Sequence, residues 1–278
     1  MDNKVFVVTG ATSGIGKALI EKLAKTGETI VTVARDAERG NAILKGISLA
    51  TQNTNLDLQL CDLSVLSSVR NLAQILNSKY QKINVLINNA SVYKRKRVTT
   101  VDGFEEMFAT NHLGPFLLTN LLLELLQAGV QENGSAHVLN ITAPSTVQLD
   151  INDLQSEKKF NSLTAFGATK MANLLFTFAL ARRLENTGIT VNAIHPGLAR
   201  SGLLKESFPL LRLFTWLISS PPQKVTENIV QPAISPEYEQ TSGKFLHRGK
   251  EIEAPAYAHD QEAQQQLWDV SERLTSPT

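Results

Sequence analysis

Residues Val5 to Gly16, Val-Phe-Val-Val-Thr-Gly-Ala-Thr-Ser-Gly-Ile-Gly, set the terms for the whole chain. Val5 to Val8 is an unbroken β-branched and aromatic run with no polar alternation, the pattern of a parallel strand covered on both faces. Gly10, Gly14 and Gly16 then allow a sharp turn and a close backbone approach that a Cβ would block. A helix opens at Lys17-Ala-Leu-Ile, so its unpaired N–H groups and positive dipole end face the turn. That end suits a phosphate. Gly10, Thr12, Ser13, Gly14, Ile15 and Gly16 are therefore the first candidate ligand contacts.

The rest of the chain repeats this unit. Strand patterns lie at Val5–Thr9, Thr29–Val33, Leu56–Leu60, Val85–Asn88, Ala136–Ile141, Ile189–Ile194 and Lys244–His247. Helical patterns lie between them, at Gly16–Lys25, Ala37–Ala50, Val65–Ser78, an interrupted stretch over Gly103–Leu126, and Leu163–Asn186. Such alternation implies a Rossmann-type, doubly wound parallel α/β sheet of about seven strands with helices on both faces. No repeat or linker divides residues 1–278, so a single domain is expected.

Bulk properties narrow the function. A net charge of +1 gives no reason to invoke nucleic acid. The lone Cys61 excludes an internal disulfide and a cysteine-based zinc site, and no His/carboxylate set has metal spacing. The first strand follows Met1 too closely for a signal peptide, and no apolar run reaches the length of a membrane span. A cytoplasmic protein without an integral membrane segment is expected.

The second strand ends Val33-Ala-Arg-Asp36, where folds of this kind meet the adenosine ribose. Arg35, with Lys17 near the glycine turn, suits a 2′-phosphate, which favours NADP(H) over NAD(H); the bland alternative is a solvated surface charge. Asp62, after the third strand, is placed to accept from an adenine amino group or to cap the next helix.

By the fourth strand the order of motifs resembles the short-chain dehydrogenase/reductase family. The matching residues are Thr9 to Gly16, Asp62-Leu63 and Asn88-Asn-Ala-Ser91, with Ser91 standing where the family has Gly and narrowing the cofactor cleft. Thr110-Asn-His-Leu-Gly-Pro-Phe-Leu-Leu-Thr119, Asn152-Asp-Leu-Gln-Ser-Glu-Lys158, Lys170-Met-Ala-Asn-Leu-Leu-Phe176, His195-Pro-Gly197 and Leu267-Trp-Asp-Val-Ser-Glu-Arg-Leu274 look like its retinol-dehydrogenase-like branch. The resemblance implies cofactor contacts from Asp62, Leu63, Asn89, Ala90, Lys170, Pro196, Gly197, Leu198 and Ser201. It implies structural roles for His112 and His195. Monomers and homodimers both fit it.

The resemblance also implies a catalytic set of Asn, Ser, Tyr and Lys. Asn111 and Lys170 match. The Tyr position holds Phe166, four residues before Lys170, and the Ser position falls on Ala143, flanked by Thr142 and Ser145. Phe has the ring without the hydroxyl and donates no proton. A placed general acid contributes about 10²–10⁴-fold, so its loss demotes ordinary carbonyl reduction by the usual route. Tyr93 is the alternative donor in sequence, or else a loop aromatic that packs against substrate.

Several readings stay open at this stage. One is hydride transfer that bypasses a Tyr acid. A second is a non-redox cyclase or isomerase on the same scaffold. A third is a non-catalytic NADP(H)-binding protein, and a fourth is an engineered Tyr→Phe change at position 166. Residues 203–235 resemble the family's substrate lid, and the apolar stretch Leu203–Ile218 implies an apolar small molecule; a dimer contact or a membrane-surface helix are its alternatives. Lys94-Arg-Lys-Arg97 reads as a solvated loop or a guide for an anionic substrate. Asp150 and Asp153 read as loop or capping groups, with a replacement acid/base pair the less favoured role.

Overall fold

The computed structural model describes residues 3–200, 203 and 219–277. Strands β1 (Val5–Thr9), β2 (Thr29–Ala34), β3 (Leu56–Leu60), β4 (Val85–Asn88), β5 (Ala136–Ile141), β6 (Ile189–Ile194), β7 (Phe245–His247) and β8 (Lys250–Glu251) form one sheet in the order β3-β2-β1-β4-β5-β6-β7-β8. All neighbours are parallel except β7 and β8. The sequence leads one to expect about seven strands. The eighth is a two-residue antiparallel partner of β7, too short to carry a periodicity.

Along β1 successive side chains enter opposite cores. Val5 and Val7 join Leu72, Leu76, Phe116 and Phe176 on one face; Phe6 and Val8 join Leu19, Leu23 and Ile229 on the other. This is why the strand shows no polar alternation: both faces are covered. The first face is roofed by helices α3 (Leu66–Lys79), α5 (Gly114–Leu121), α6 (Leu123–Asn133) and α7 (Ser162–Arg183), the second by α1 (Gly14–Ala24) and α2 (Ala37–Thr51). β1 pairs with β2 on one side and β4 on the other, so the chain reverses direction of travel across the sheet there. Ligands of such sheets sit at that switch point, beyond the strands' carboxyl ends.

The interrupted helical stretch expected over Gly103–Leu126 is divided in four. A short α4 (Glu106–Phe108) is capped by Glu105, whose carboxylate accepts from the N–H groups of Met107 and Phe108. A π-turn over Ala109–Leu113 follows, then α5 and α6, separated at Leu122. α7 starts one residue before its expected onset, with Asn161 as N-cap, and stops at Arg183 rather than Asn186. It is long and apolar enough by composition to cross a membrane (mean hydropathy 1.3), yet 72% of that stretch is buried within the fold. Its apolarity is that of a core helix.

Residues 204–218, nearly all of the apolar stretch of the expected lid, lie outside the described residues. The described remainder forms α8 (Pro222–Val225) and α9 (Glu227–Ile234), which pack on α1, with Val225 and Ile229 fully buried. That part is a buttress of the sheet's second face. The chain closes on α10 (Gln261–Thr275), laid against α7.

Candidate active site

The glycine turn is built to exclude side chains. A Cβ on Gly10, whose φ is +66°, would stand 2.6 Å from Ala90 Cα; one on Gly16 would stand 2.2 Å from Gly10 O and 2.7 Å from Asn89 Nδ2. Asn89 holds the turn to β4 by donating from Nδ2 to Thr9 O (2.8 Å) and Gly10 O (3.1 Å). The buried Thr9 hydroxyl accepts the backbone N–H groups of Asn89 (3.0 Å) and Ala90 (3.1 Å). Asn89 and Ala90 thus form the floor of the turn. Ser13 precedes α1 in extended conformation and makes no side-chain cap bond, so the first N–H groups of α1 face the turn uncapped. Gly14 (φ +49°) completes the bend, and Thr12 and Ile15 are half-buried along it. This cradle fits a phosphate-bearing cofactor, because a Cβ would fill the very space its backbone leaves.

Arg35 and Lys17 both lie exposed near this end, Arg35 just past β2 and Lys17 in the first turns of α1. Asp36 is taken up as the N-cap of α2, accepting from Arg39 N. Asp62 is half-buried, and one of its oxygens accepts from both the N–H (2.9 Å) and the hydroxyl (2.7 Å) of Ser64. It shapes the turn before α3; the N-cap position itself is Val65. Leu63 is buried, its carbonyl pressed by Gly114, where a Cβ would come to 2.4 Å.

The other end of the site lies where β4, the π-turn and α7 meet. Ser162, Phe166 and Lys170 are spaced four apart on α7 and share one face. Lys170 is 7% exposed, and burial lowers its pKa to about 8. Its ammonium lies 4.9 Å from the Phe166 ring centroid and donates to Ser91 Oγ at 2.9 Å. The Ser91 hydroxyl oxygen thus accepts from Lys170.

Asn111 sits in the π-turn, 1% exposed, with its amide fully engaged. Oδ1 accepts from Val92 N (2.8 Å), while Nδ2 donates to Val92 O (3.0 Å) and Thr169 Oγ1 (3.1 Å). It joins the loop after β4 to α7 beside Lys170. The Tyr93 ring meets Phe166 edge-on, centroids 5.6 Å apart, and its hydroxyl donates to Ser162 Oγ at 2.9 Å. At 3% exposure Tyr93 is a packed residue, and its hydroxyl is bonded at Ser162, one helical turn before Phe166 and two before Lys170. Ala143 is half-buried. Its flanking hydroxyls both donate into α7, Thr142 to Lys170 O (2.9 Å) and Ser145 to Gly167 O (2.8 Å). Neither hydrogen is left over for a ligand.

Pro196 and Gly197 follow β6. Pro196 O accepts from Asn228 of α9 (2.7 Å), and Gly197 has φ +93°. Leu198 is 52% exposed, with its carbonyl bonded to Ser220 N. Ser201 lies outside the described residues. Leu203 joins an apolar cluster with Tyr93, Met107, Phe160, Ala165 and Phe166.

The remaining candidates have structural partners. His195 stacks beside His247 with centroids 4.7 Å apart, and burial, then the neighbouring imidazole, lowers its pKa. His112 is enclosed by Phe108, Phe116 and Phe176, its Nε2 2.8 Å from Ser271 Oγ, and burial lowers its pKa to about 4. Asp153 accepts from the N–H groups of Glu157 and Lys158, and Asp150 from Asn152 N, so both are turn formers. The basic run is pinned at its two ends, Lys94 pairing with Glu106 (3.3 Å) and Arg97 with Glu157 (3.5 Å), while Arg95 and Lys96 are exposed. The Ser91–Lys170 and Tyr93–Ser162 pairs are not legible from spacing.

Residues 4–210 match the short chain dehydrogenase family. Curated relatives match almost end to end. Retinol dehydrogenase 12 of Mus musculus is 37% identical over 274 residues, covering 96% of this chain and 85% of the relative. The chain belongs to the short chain dehydrogenase family. Within that family it is similar to the retinol-dehydrogenase-like branch, which also shows in polyprenol dehydrogenase of Homo sapiens, 33% identical over 281 residues and covering 98% and 85% of the two chains. Among solved structures, an uncharacterised protein of Mycobacterium paratuberculosis superposes with a TM-score of 0.78 at 29% identity, over 99% of this chain and 94% of that one. The short chain dehydrogenase assignment accounts for the sheet order, the glycine turn and the position of Lys170.

Proposed function

We propose that this short chain dehydrogenase is an NADP(H)-dependent oxidoreductase acting on an apolar small molecule, by a route in which residue 166 supplies no proton. The observation that carries the proposal is the benzyl ring of Phe166 beside the buried Lys170 ammonium, 4.9 Å from centroid to Nζ. A hydrocarbon ring at that place offers neither acid nor oxyanion donor.

Several features support the cofactor. The side-chain-free turn at Gly10 and Gly16 and the uncapped start of α1 suit a pyrophosphate; the exposed Arg35 and Lys17 suit a 2′-phosphate. NADP(H) supplies the hydride. The chain's own residues bind and orient: Asn89 and Thr9 fix the turn, Asn111 fixes the loop after β4 against α7, and Lys170 holds a proton near neutral pH. An apolar substrate is supported by the wall of Tyr93, Phe160, Phe166 and Leu203, and by the names of the relatives, which are retinol and polyprenol dehydrogenases. Without an acid at 166, acceptors that need no proton there, such as activated alkenes and iminium ions, should outrun simple ketones.

The test is reversion. Wild-type protein should bind NADPH and oxidise it slowly with plain apolar ketones. Phe166→Tyr should raise that rate by about 10²-fold or more, the contribution of a placed acid. Brisk reduction of plain ketones by the wild type refutes the proposal. The donation of the Thr142 and Ser145 hydroxyls into α7 favours a second reading, an NADP(H)-binding protein without catalysis. Tight NADPH binding with no oxidation across enones, imines and aldehydes would select it.

A further inference from the structure

Two of the three residues that depart from the expected pattern, Ser91 and Phe166, meet at one atom. Lys170 Nζ lies over the Phe166 ring and donates to Ser91 Oγ at 2.9 Å. We propose that Ser91 is the positioning residue for Lys170, its hydroxyl accepting the ammonium hydrogen bond that a phenylalanine at 166 cannot.

The surroundings of Nζ leave no competing partner among the described residues. On β5 and the loop beyond it, the Thr142 and Ser145 hydroxyls are turned to the carbonyls of Lys170 and Gly167. On the π-turn, the Asn111 amide is spent on Val92 and Thr169, and His112 on Ser271. Glu105 caps α4, and His195, past β6, lies against His247. Among the described residues no carboxylate pairs with Lys170, and burial lowers its pKa. A buried ammonium with a single neutral acceptor depends strongly on that acceptor, because hydrogen bonding to the charged form favours it and desolvation opposes it. Ser91 has no positive φ, so the position accepts a side chain without strain.

The proposal shares with the proposed function only the placement of Phe166 beside Lys170. It is tested without cofactor turnover, on protein carrying carbon-13-labelled lysine. The Lys170 Cε resonance is assigned by its loss in Lys170→Arg and followed against pH. Ser91→Ala and Ser91→Gly should each lower the Lys170 midpoint from about 8 by about one pH unit or more, the ammonium having lost its acceptor. Ser91→Thr, which keeps the hydroxyl, should restore the midpoint to within a few tenths of a unit. An unchanged midpoint in both Ser91→Ala and Ser91→Gly, or failure of Ser91→Thr to restore it, overturns the proposal. NADPH binding by wild-type protein is measured separately by fluorescence. Its absence would refute the proposed function while leaving the Lys170 midpoint readable, so the two fail independently.

Discussion

Thr9 closes β1 and receives two backbone N–H groups from the end of β4, so a single hydroxyl fixes the relation of the glycine turn to its floor. Thr9→Val keeps the shape and removes that acceptor. The N–H groups of Asn89 and Ala90, bonded at 3.0 and 3.1 Å, lose their partner in a place where Thr9 itself is 0% exposed. Each buried unsatisfied donor costs about 1–3 kcal/mol. Asn89 and Ala90 are half-buried, so some rehydration is open to them, and the pair should cost about 2–4 kcal/mol. At about 2–4 °C per kcal/mol for large domains, the melting temperature should fall by roughly 4–16 °C. Thr9→Ser keeps the acceptor and loses one methyl, a loss of about 1 kcal/mol. The displaced floor should also weaken NADPH binding more than tenfold in Thr9→Val, because Ala90 is the residue against which Gly10 is packed. Thermal unfolding and NADPH fluorescence titration of both variants decide the matter. If Thr9→Val melts with the wild type, or if Thr9→Ser is as damaged as Thr9→Val, the hydroxyl does not hold the turn.

Gly16→Ala would place a methyl 2.2 Å from Gly10 O and should lower NADPH affinity at least about tenfold by opening the turn, with about 1–3 kcal/mol of stability lost, both read in the same titration and melt. Arg35→Asp should shift the NADPH/NADH affinity ratio towards NADH by about 10–100-fold, measured by competitive binding, and no shift would leave Arg35 a surface charge. His112 and His137 are buried bases with folded pKa values lowered to about 4 from 6.5. Between those values the unfolded chain binds protons that the folded one refuses, so stability is full above pH 6.5 and declines as pH falls towards 4. His112→Phe should flatten that decline in urea midpoints taken across the range, since the neighbours of His112 are already Phe108, Phe116 and Phe176.

What the sequence makes legible is what repeats or what a turn demands. The strands of the parallel core announce themselves because both faces are buried, and the glycines because only they fit. β8 has two residues and no pattern. The π-turn around Asn111 has no composition of its own; it arises where Glu105 starts a helix that must then bend to seat Asn111 between Val92 and Thr169. The apolar segment after Ser201 reads as a lid through residue 235, yet Ile229, Val230 and Ala233 serve the core beneath α1. Apolarity alone does not say which side of a cleft a helix covers. Tyr93 shows the same limit: a tyrosine near a missing tyrosine invites a functional reading, and only the distance to Ser162 shows where its hydroxyl goes.

Ser91 and Lys170 are best understood as a pair. A buried ammonium that loses its hydrogen-bond acceptor costs stability whether or not the protein catalyses anything. Ser91 supplies that acceptor, and at 2.9 Å it does so with ordinary geometry. A chain retaining Lys170 only as a relic would be as well served by an apolar residue there, which would remove the buried charge altogether. Keeping the lysine and supplying it with a hydroxyl implies that the ammonium itself is used, to hold the cofactor, to hold a proton, or both. Lys170→Met separates these uses from simple burial: it should preserve or raise the melting temperature while abolishing NADPH binding. A variant that melts higher and still binds NADPH with wild-type affinity would show that the charge is idle.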